Sequence, residues 1–329
     1  EGGLDVPFMS IYVPATYQVT GGAKAMAEEL IQSVEKITTD HPDKFEVAYN
    51  VADAERIVSE GKIALPMGME NGAPLEGDLS NVKYFHERGI SYITLTHSED
   101  NDICDSSYNL GERTHKGLSE FGAEVVKEMN KVGIMIDISH VSDDAFYQIM
   151  DVTEVPAIAS HSSARHFTPG FERNMSDDMI KRLAENGGVI QINFGSSFVT
   201  QESKDKRTAN GEKISQYAEE NNLESDDPKL QEFAKQVAED NPVFCDVTDV
   251  ADHIDRVVEL AGIEHVGFGS DYDGVGDTLP YGLKDPSDFP NLIYHLLKRG
   301  YSEEDIEKIC YKNVWRVWKA TEEFANSQS

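Results

Sequence analysis

Five residues able to bind divalent metals stand at one kind of place in this sequence, the end of a short apolar run. "IALPMGME" closes on Glu70, "SYITLTH" on His97, "IMIDISH" on His140, "PAIASH" on His161 and "HVGFGSD" on Asp271, while "VIQINF" carries Asn193. Imidazole nitrogen and carboxylate oxygen are the donors that zinc and similar ions take. A two-metal site further asks for a carboxylate able to bridge ions roughly 3.5–4 Å apart. Glu70 has the charge and reach for that bridge. His140 and His161 lie on successive runs, and neighbouring strands about 4.8 Å apart would let both rings converge on one ion. Any one of these residues alone reads as a hydrogen-bonded strand terminus. Five together point to a shared centre. Other histidines read differently: His86, His265 and His295 fall in helices or ahead of a strand, as surface or packing residues, and His115 and His166 are minor loop candidates.

The elements that must position these groups alternate along the chain. "FMSIYVP" is followed by a helical pattern from about Gly22 to Ile37, then come "FEVAYN", a short helix, "IALPMGMEN", a helix and "SYITLTH". A helix from Leu118 to Lys131 leads to "IMIDISH", another to "PAIASH", and one opening at Ser176 to "GVIQINF". The last strand, "HVGFGSDYDG", follows a helix from about Val247 to Ala261 with Val250, Ile254, Val257, Val258 and Ala261 at helical spacing. Repeated βα order predicts a parallel sheet, closed or doubly wound, and eight or so units favour a TIM-like (β/α)8 barrel. In such a barrel all strand C-termini meet at one face. Residues 1–329 then form a single barrel domain. The polar, acidic stretch 201–242, helical near Pro228 to Ala238, is an insertion over one face, a solvated excursion or a lid. "GERTHKG" from Gly111 is a second inserted loop.

Charge excludes several function classes. Lys plus Arg total 29 against 60 Asp plus Glu, a formal charge of −31 that repels nucleic acid and anionic membranes. Cys104, Cys245 and Cys310 are far apart and odd in number, offering neither a disulfide framework nor a CxxC metal site. No apolar run approaches the ~18 residues of a membrane span. The first residue is Glu1 rather than Met, which points to a processed or trimmed start and leaves room for a leader or lipid anchor upstream, so the compartment stays open.

The blocks "GMENG", "YITLTHS", "IDISHVS", "ASHSSAR", "ERNMSDD" and "GFGSDYDGV" occur in this order across nearly the whole chain. Together they resemble the membrane (renal) dipeptidase family of zinc peptidases. The resemblance implies an amidohydrolase-type barrel with two zinc ions. Residue by residue, it implies that Glu70 bridges both metals, that His140 and His161 bind the second and that Asp271 binds the first. It implies that His97 sits beside the substrate and steadies the oxyanion, and that Arg173 takes the substrate carboxylate as a forked, charged hydrogen bond. The family's first metal also needs a His-x-Asp pair on the opening barrel strand, and that pair is missing here; the first strand is expected upstream of Glu1. "HPD" at His41 to Asp43 falls in a turn, and "HID" at His253 to Asp255 within a helix, where residues two apart point to different sides. A carboxylated lysine bridge, used by related barrels, finds no lysine at a strand end; Lys62 stands at the start of its strand.

The implied reaction is hydrolysis of a dipeptide by a hydroxide bridging the two metals, with Asp271 moving the proton from water to the leaving amine. Tolerance of a C-terminal D-residue and a homodimer are further implications of the resemblance. The expected partner is a dipeptide substrate. The competing readings are a non-catalytic barrel that binds or scaffolds, motivated by the missing His-x-Asp, and a related amide or lactone hydrolase.

Overall fold

Apolar runs buried on both faces read as parallel strands because helices cover the sheet, and most of these runs fold that way. The computed structural model describes residues 2–328. Its strands are β1 (Met9–Tyr12), β2 (Phe45–Val47), β3 (Ile63–Leu65), β4 (Met67–Glu70), β5 (Ile90–Thr94), β6 (Met135–Asp137), β7 (Ile158–Ser162), β8 (Val189–Ile192) and β9 (Val266–Phe268). One curled parallel sheet of seven strands runs β1-β4-β5-β6-β7-β8-β9, and β2 pairs only with β3. "IALPMGMEN", expected as one strand, is two. Pro66 has no N–H to give to a ladder, so the run breaks there, β3 joining β2 and β4 joining β1. The strand expected in "FEVAYN" therefore adds nothing to the main sheet.

Register sets the level of the strand ends. Tyr12 faces Glu70, Glu70 faces Thr94, and Thr94 faces Asp137; the residues that follow β5, β6 and β9 emerge on the same side. The turn after β6 explains why a histidine ends a core strand. His140 adopts a left-handed backbone conformation (φ 71°), turning the chain out of the sheet. Two residues later Ser142 caps the helix Asp143–Val152 by accepting from the Ala145 N–H, with Asp143 and Asp144 against the positive end of its dipole. Asp271, after β9, is also left-handed (φ 56°). Such conformations cost non-glycine residues about 1–2 kcal/mol each.

The expected helix at 22–37 forms as Ala23–Asp40, and Val247–Ala261 forms as predicted. The segment after β8 is more helical than its sequence indicated. Besides Pro228–Asp240, residues Gln201–Asn221 form a long helix in which only Ser203 and Asn210 are buried. With almost no apolar face it has no periodic signal. Tyr217 stacks on Phe233 at 4.0 Å between ring centres, tying the two helices together. The C-terminal helix Asn313–Ser327 buries Trp318, whose ring lies 5.3 Å from that of Phe8.

Among the described residues β1 and β9 do not pair with each other, so the curl stays open between them. A cavity of about 610 Å³ occupies that opening, apolar where Phe8, Phe268 and Trp315 line it and polar where Ser10, Glu70 and Asp271 do.

Candidate metal centre

Glu70, at the end of β4, is the hub of the strand-end residues. Its Oε1 lies 3.4 Å from His97 Nε2, 3.4 Å from His140 Nε2 and 3.3 Å from His161 Nε2. The two nitrogens of His140 and His161 are 2.8 Å apart. Glu70 Oε2 accepts from Ser10 Oγ on β1 at 2.9 Å. Burial disfavours the Glu70 carboxylate, but His161, His140 and His97 around it outweigh that and hold its pKa well below the ordinary range. His140 is driven well down by burial and by the charge of Arg173. His161 is also buried, yet Asp271 and Glu70 draw its pKa up. Burial, with Glu70 adding, raises that of Asp271 against the opposing pull of His161.

Glu70, His140 and His161 together fit a metal ion. Four-coordinate zinc with bonds of 2.0–2.1 Å sets its ligand atoms about 3.3 Å apart. Both carboxylate–imidazole separations match that edge, and the imidazole pair must open by about half an ångström. His140 Nδ1 and His97 Nδ1 are buried without a hydrogen-bond partner among the described residues. Asp271 lies outside this three-residue cluster; it accepts from Asn193 Nδ2 at 2.8 Å.

Arg173 was not visible to strand periodicity, and the structure places it inside the centre. Nearly fully buried, it donates through Nη1 to Ser162 Oγ and through Nη2 to the His161 carbonyl, each at 2.7 Å, with Nη2 also 3.1 Å from His140 Nε2. Its Nε is buried and unpartnered among the described residues. Ion pairs hold its loop: Arg113 meets Glu172 at 2.7 Å, and Arg165 grips Asp143 with two bonds of 2.6 and 2.7 Å. Aromatic rings wall the centre. Tyr12 lies 4.9 Å from His97, and Tyr108 lies 5.9 Å from His140.

The remaining histidines divide as the sequence suggested. His253 bridges Ala164 N–H and the Val199 carbonyl from a helix, and its partner in the "HID" triplet, Asp255, binds Arg299 and Tyr301 instead. His41 ends the helix Ala23–Asp40 in a turn. His115 Nε2 bonds the Asn101 carbonyl in its loop.

Three residues that shape the centre had escaped the sequence reading. Ser10 grips the free oxygen of Glu70. Asp137, fully buried at the end of β6, accepts from Thr94 Oγ1 (2.5 Å), Ser139 N (3.0 Å), Ser160 N (2.8 Å) and Ser160 Oγ (2.6 Å). Ser160 in turn lies 2.7 Å from His161 Nδ1. The available signal was a charged residue inside "IMIDIS", since buried carboxylates are rare unless paired.

Comparison with known proteins gives the family and the fold. A family model described as membrane dipeptidase (peptidase family M19) matches residues 1–329. An uncharacterized dipeptidase of Schizosaccharomyces pombe is 36% identical over 266 residues, covering 80% of this chain and 54% of its own. Dipeptidase tcpJ of Claviceps purpurea is 34% identical over 298 residues, covering 91% of this chain and 60% of its own. The chain thus spans somewhat over half the length of these relatives. Among solved structures, the probable dipeptidase PvdM from Pseudomonas aeruginosa superposes with a TM-score of 0.84 at 27% identity, over 98% of this chain and 87% of that one.

Proposed function

We propose that this chain, which belongs to the membrane dipeptidase family of metallopeptidases, forms the metal-binding core of an enzyme that hydrolyses dipeptides, with zinc as the metal. The observation that carries the reading is the convergence of Glu70, His140 and His161 at the C-terminal ends of parallel strands. Bound divalent metal supplies a more acidic water near neutral pH and polarises the scissile carbonyl. The chain's own residues do the rest. His97 donates to the carbonyl oxygen as negative charge develops there. Asp271, held by Asn193 and with its pKa raised by burial, takes the proton from the attacking water and delivers it to the leaving amine. Arg173, its two Nη groups bonded to Ser162 and His161, sets a fixed positive charge beside the centre that attracts a terminal carboxylate and favours short substrates; acceptance of a C-terminal D-residue belongs to the same reading.

The cleft between β1 and β9 is the place for a further parallel strand of a barrel. Each flanking strand has one edge unpaired among the described residues. Ser10, Glu70 and Asp271 lie at the polar part of the cavity wall, where a His-x-Asp pair on that strand would complete a second metal site. Residues 201–242 are then an insertion in a single barrel domain.

The test is amino acid release from a dipeptide panel by the complete natural protein and its Glu70→Ala variant, with metal content measured alongside. Close to two metals per chain, falling with cleavage on loss of Glu70, is the expected result. A folded, metal-loaded protein that releases nothing from any dipeptide refutes the reading.

A further inference from the structure

His161 has two ring nitrogens, and its use as a ligand depends on which one carries the proton. The hydrogens around Ser160 decide this. Ser160 Oγ has one hydrogen and lies 2.6 Å from Asp137 Oδ2, 2.7 Å from His161 Nδ1 and 3.5 Å from Ser139 Oγ. Of these three neighbours only the carboxylate has no hydrogen to offer. Asp137 accepts four bonds in all, two on each oxygen, which fills the acceptor capacity of a carboxylate. Ser160 therefore gives its hydrogen to Asp137 and presents a lone pair to His161 Nδ1, which must carry the hydrogen between them.

We propose that Asp137 and Ser160 are positioning residues that hold His161 with a hydrogen on Nδ1, so that Nε2 is the nitrogen turned toward Glu70 and His140 for use as a ligand. The pair acts through His161 and does not reach the substrate. Its place in the fold supports this role. Asp137 ends β6, the strand that leads to His140, and bonds the backbone N–H of Ser160 on β7, the strand that carries His161. One buried carboxylate thus fixes the spacing of the two ligand-bearing strands and the tautomer of the second ring. Partners of this kind behind metal-bound histidines are commonly worth about 10–100-fold in metal affinity. The link to metal affinity rests on the metallopeptidase reading; the tautomer does not.

The test uses the histidine nitrogen-15 spectrum of the metal-free chain at mildly alkaline pH, where ring nitrogens with and without hydrogen are resolved. It is paired with zinc affinity by competition against a chelator. Wild type and Thr94→Val, which removes a different bond to Asp137, should both show His161 with hydrogen on Nδ1. Asp137→Asn turns an amide N–H toward Ser160, reverses the relay and moves the hydrogen to Nε2, with about 10–100-fold weaker zinc binding. Ser160→Ala removes the acceptor and lets the two tautomers mix. If Asp137→Asn and Ser160→Ala both keep the wild-type His161 spectrum, the proposal is overturned. So it is if Thr94→Val shifts the tautomer as far as Asp137→Asn, because general loosening would then explain both. A wild type that shows the Nδ1 tautomer but binds no zinc refutes the metallopeptidase reading and leaves the relay standing.

Discussion

His253 makes the stability of this protein depend on mild acid in a calculable way. The ring is fully buried, accepting at Nδ1 from Ala164 N–H at 3.0 Å and donating from Nε2 to the Val199 carbonyl at 2.8 Å. Both nitrogens are satisfied in the neutral form, and a second hydrogen on Nδ1 would point at the Ala164 N–H. Burial, with the nearby His166 adding and the Val199 carbonyl opposing, pushes its pKa down to about 4 from an ordinary 6.5. In the unfolded chain the ring takes up its proton near 6.5, in the folded chain only near 4. The unfolded state therefore binds more protons in that window. Stability from this residue is complete above 6.5 and is lost as pH falls toward 4. Linkage puts the total at about 3 kcal/mol and the part lost by pH 5 at about 2 kcal/mol. His253→Gln keeps a donor and an acceptor but does not titrate. Urea unfolding of both proteins at pH 7.5 and pH 5, followed by circular dichroism, isolates the term because the many other carboxylates cancel. Wild type should lose about 2 kcal/mol more than the variant between the two pH values. Equal losses would refute the reasoning, proton inventory included.

Gly68 on β4 has no room for a methyl group: a Cβ there would fall 1.9 Å from the Tyr92 ring. Gly68→Ala should cost about 1–3 kcal/mol by forcing that buried ring aside, read as a lower urea midpoint with an unchanged slope. Arg173→Lys keeps the positive charge but loses the guanidinium bonds to Ser162 Oγ and the His161 carbonyl. In steady-state assays it should raise KM more for dipeptides than for dipeptide amides, which lack the carboxylate; equal losses on both substrates contradict the assignment. Ser10→Ala frees Glu70 Oε2 and should lower kcat with circular dichroism and melting midpoint close to wild type.

Strand existence and the strand-end residues were legible because buried parallel strands are apolar throughout and break where a polar group is needed. Glu70, His140 and His161 stood out on that ground alone. Ser10, Asp137 and Ser160 did not, since their importance lies in register: which residue on one strand meets which on the next is decided by pairing across the sheet. The same limit hid the fate of "FEVAYN", a sound strand whose partner is β3 rather than the main sheet. The helix Gln201–Asn221 was invisible for the opposite reason, having almost nothing to bury. Arg173 came only from family resemblance, because its loop is aimed by ion pairs between residues distant in sequence.

The left-handed turns at His140 and Asp271 have an evolutionary reading. Two side chains are kept where glycine or asparagine would sit with less strain, together on the order of 2–4 kcal/mol. That is a sizeable share of the 5–15 kcal/mol that holds a typical domain together. A lineage released from selection on catalysis would find stability by drifting toward glycine or asparagine at these two positions. Variant libraries sorted for thermal tolerance alone should therefore drift toward glycine or asparagine at His140 and Asp271 first.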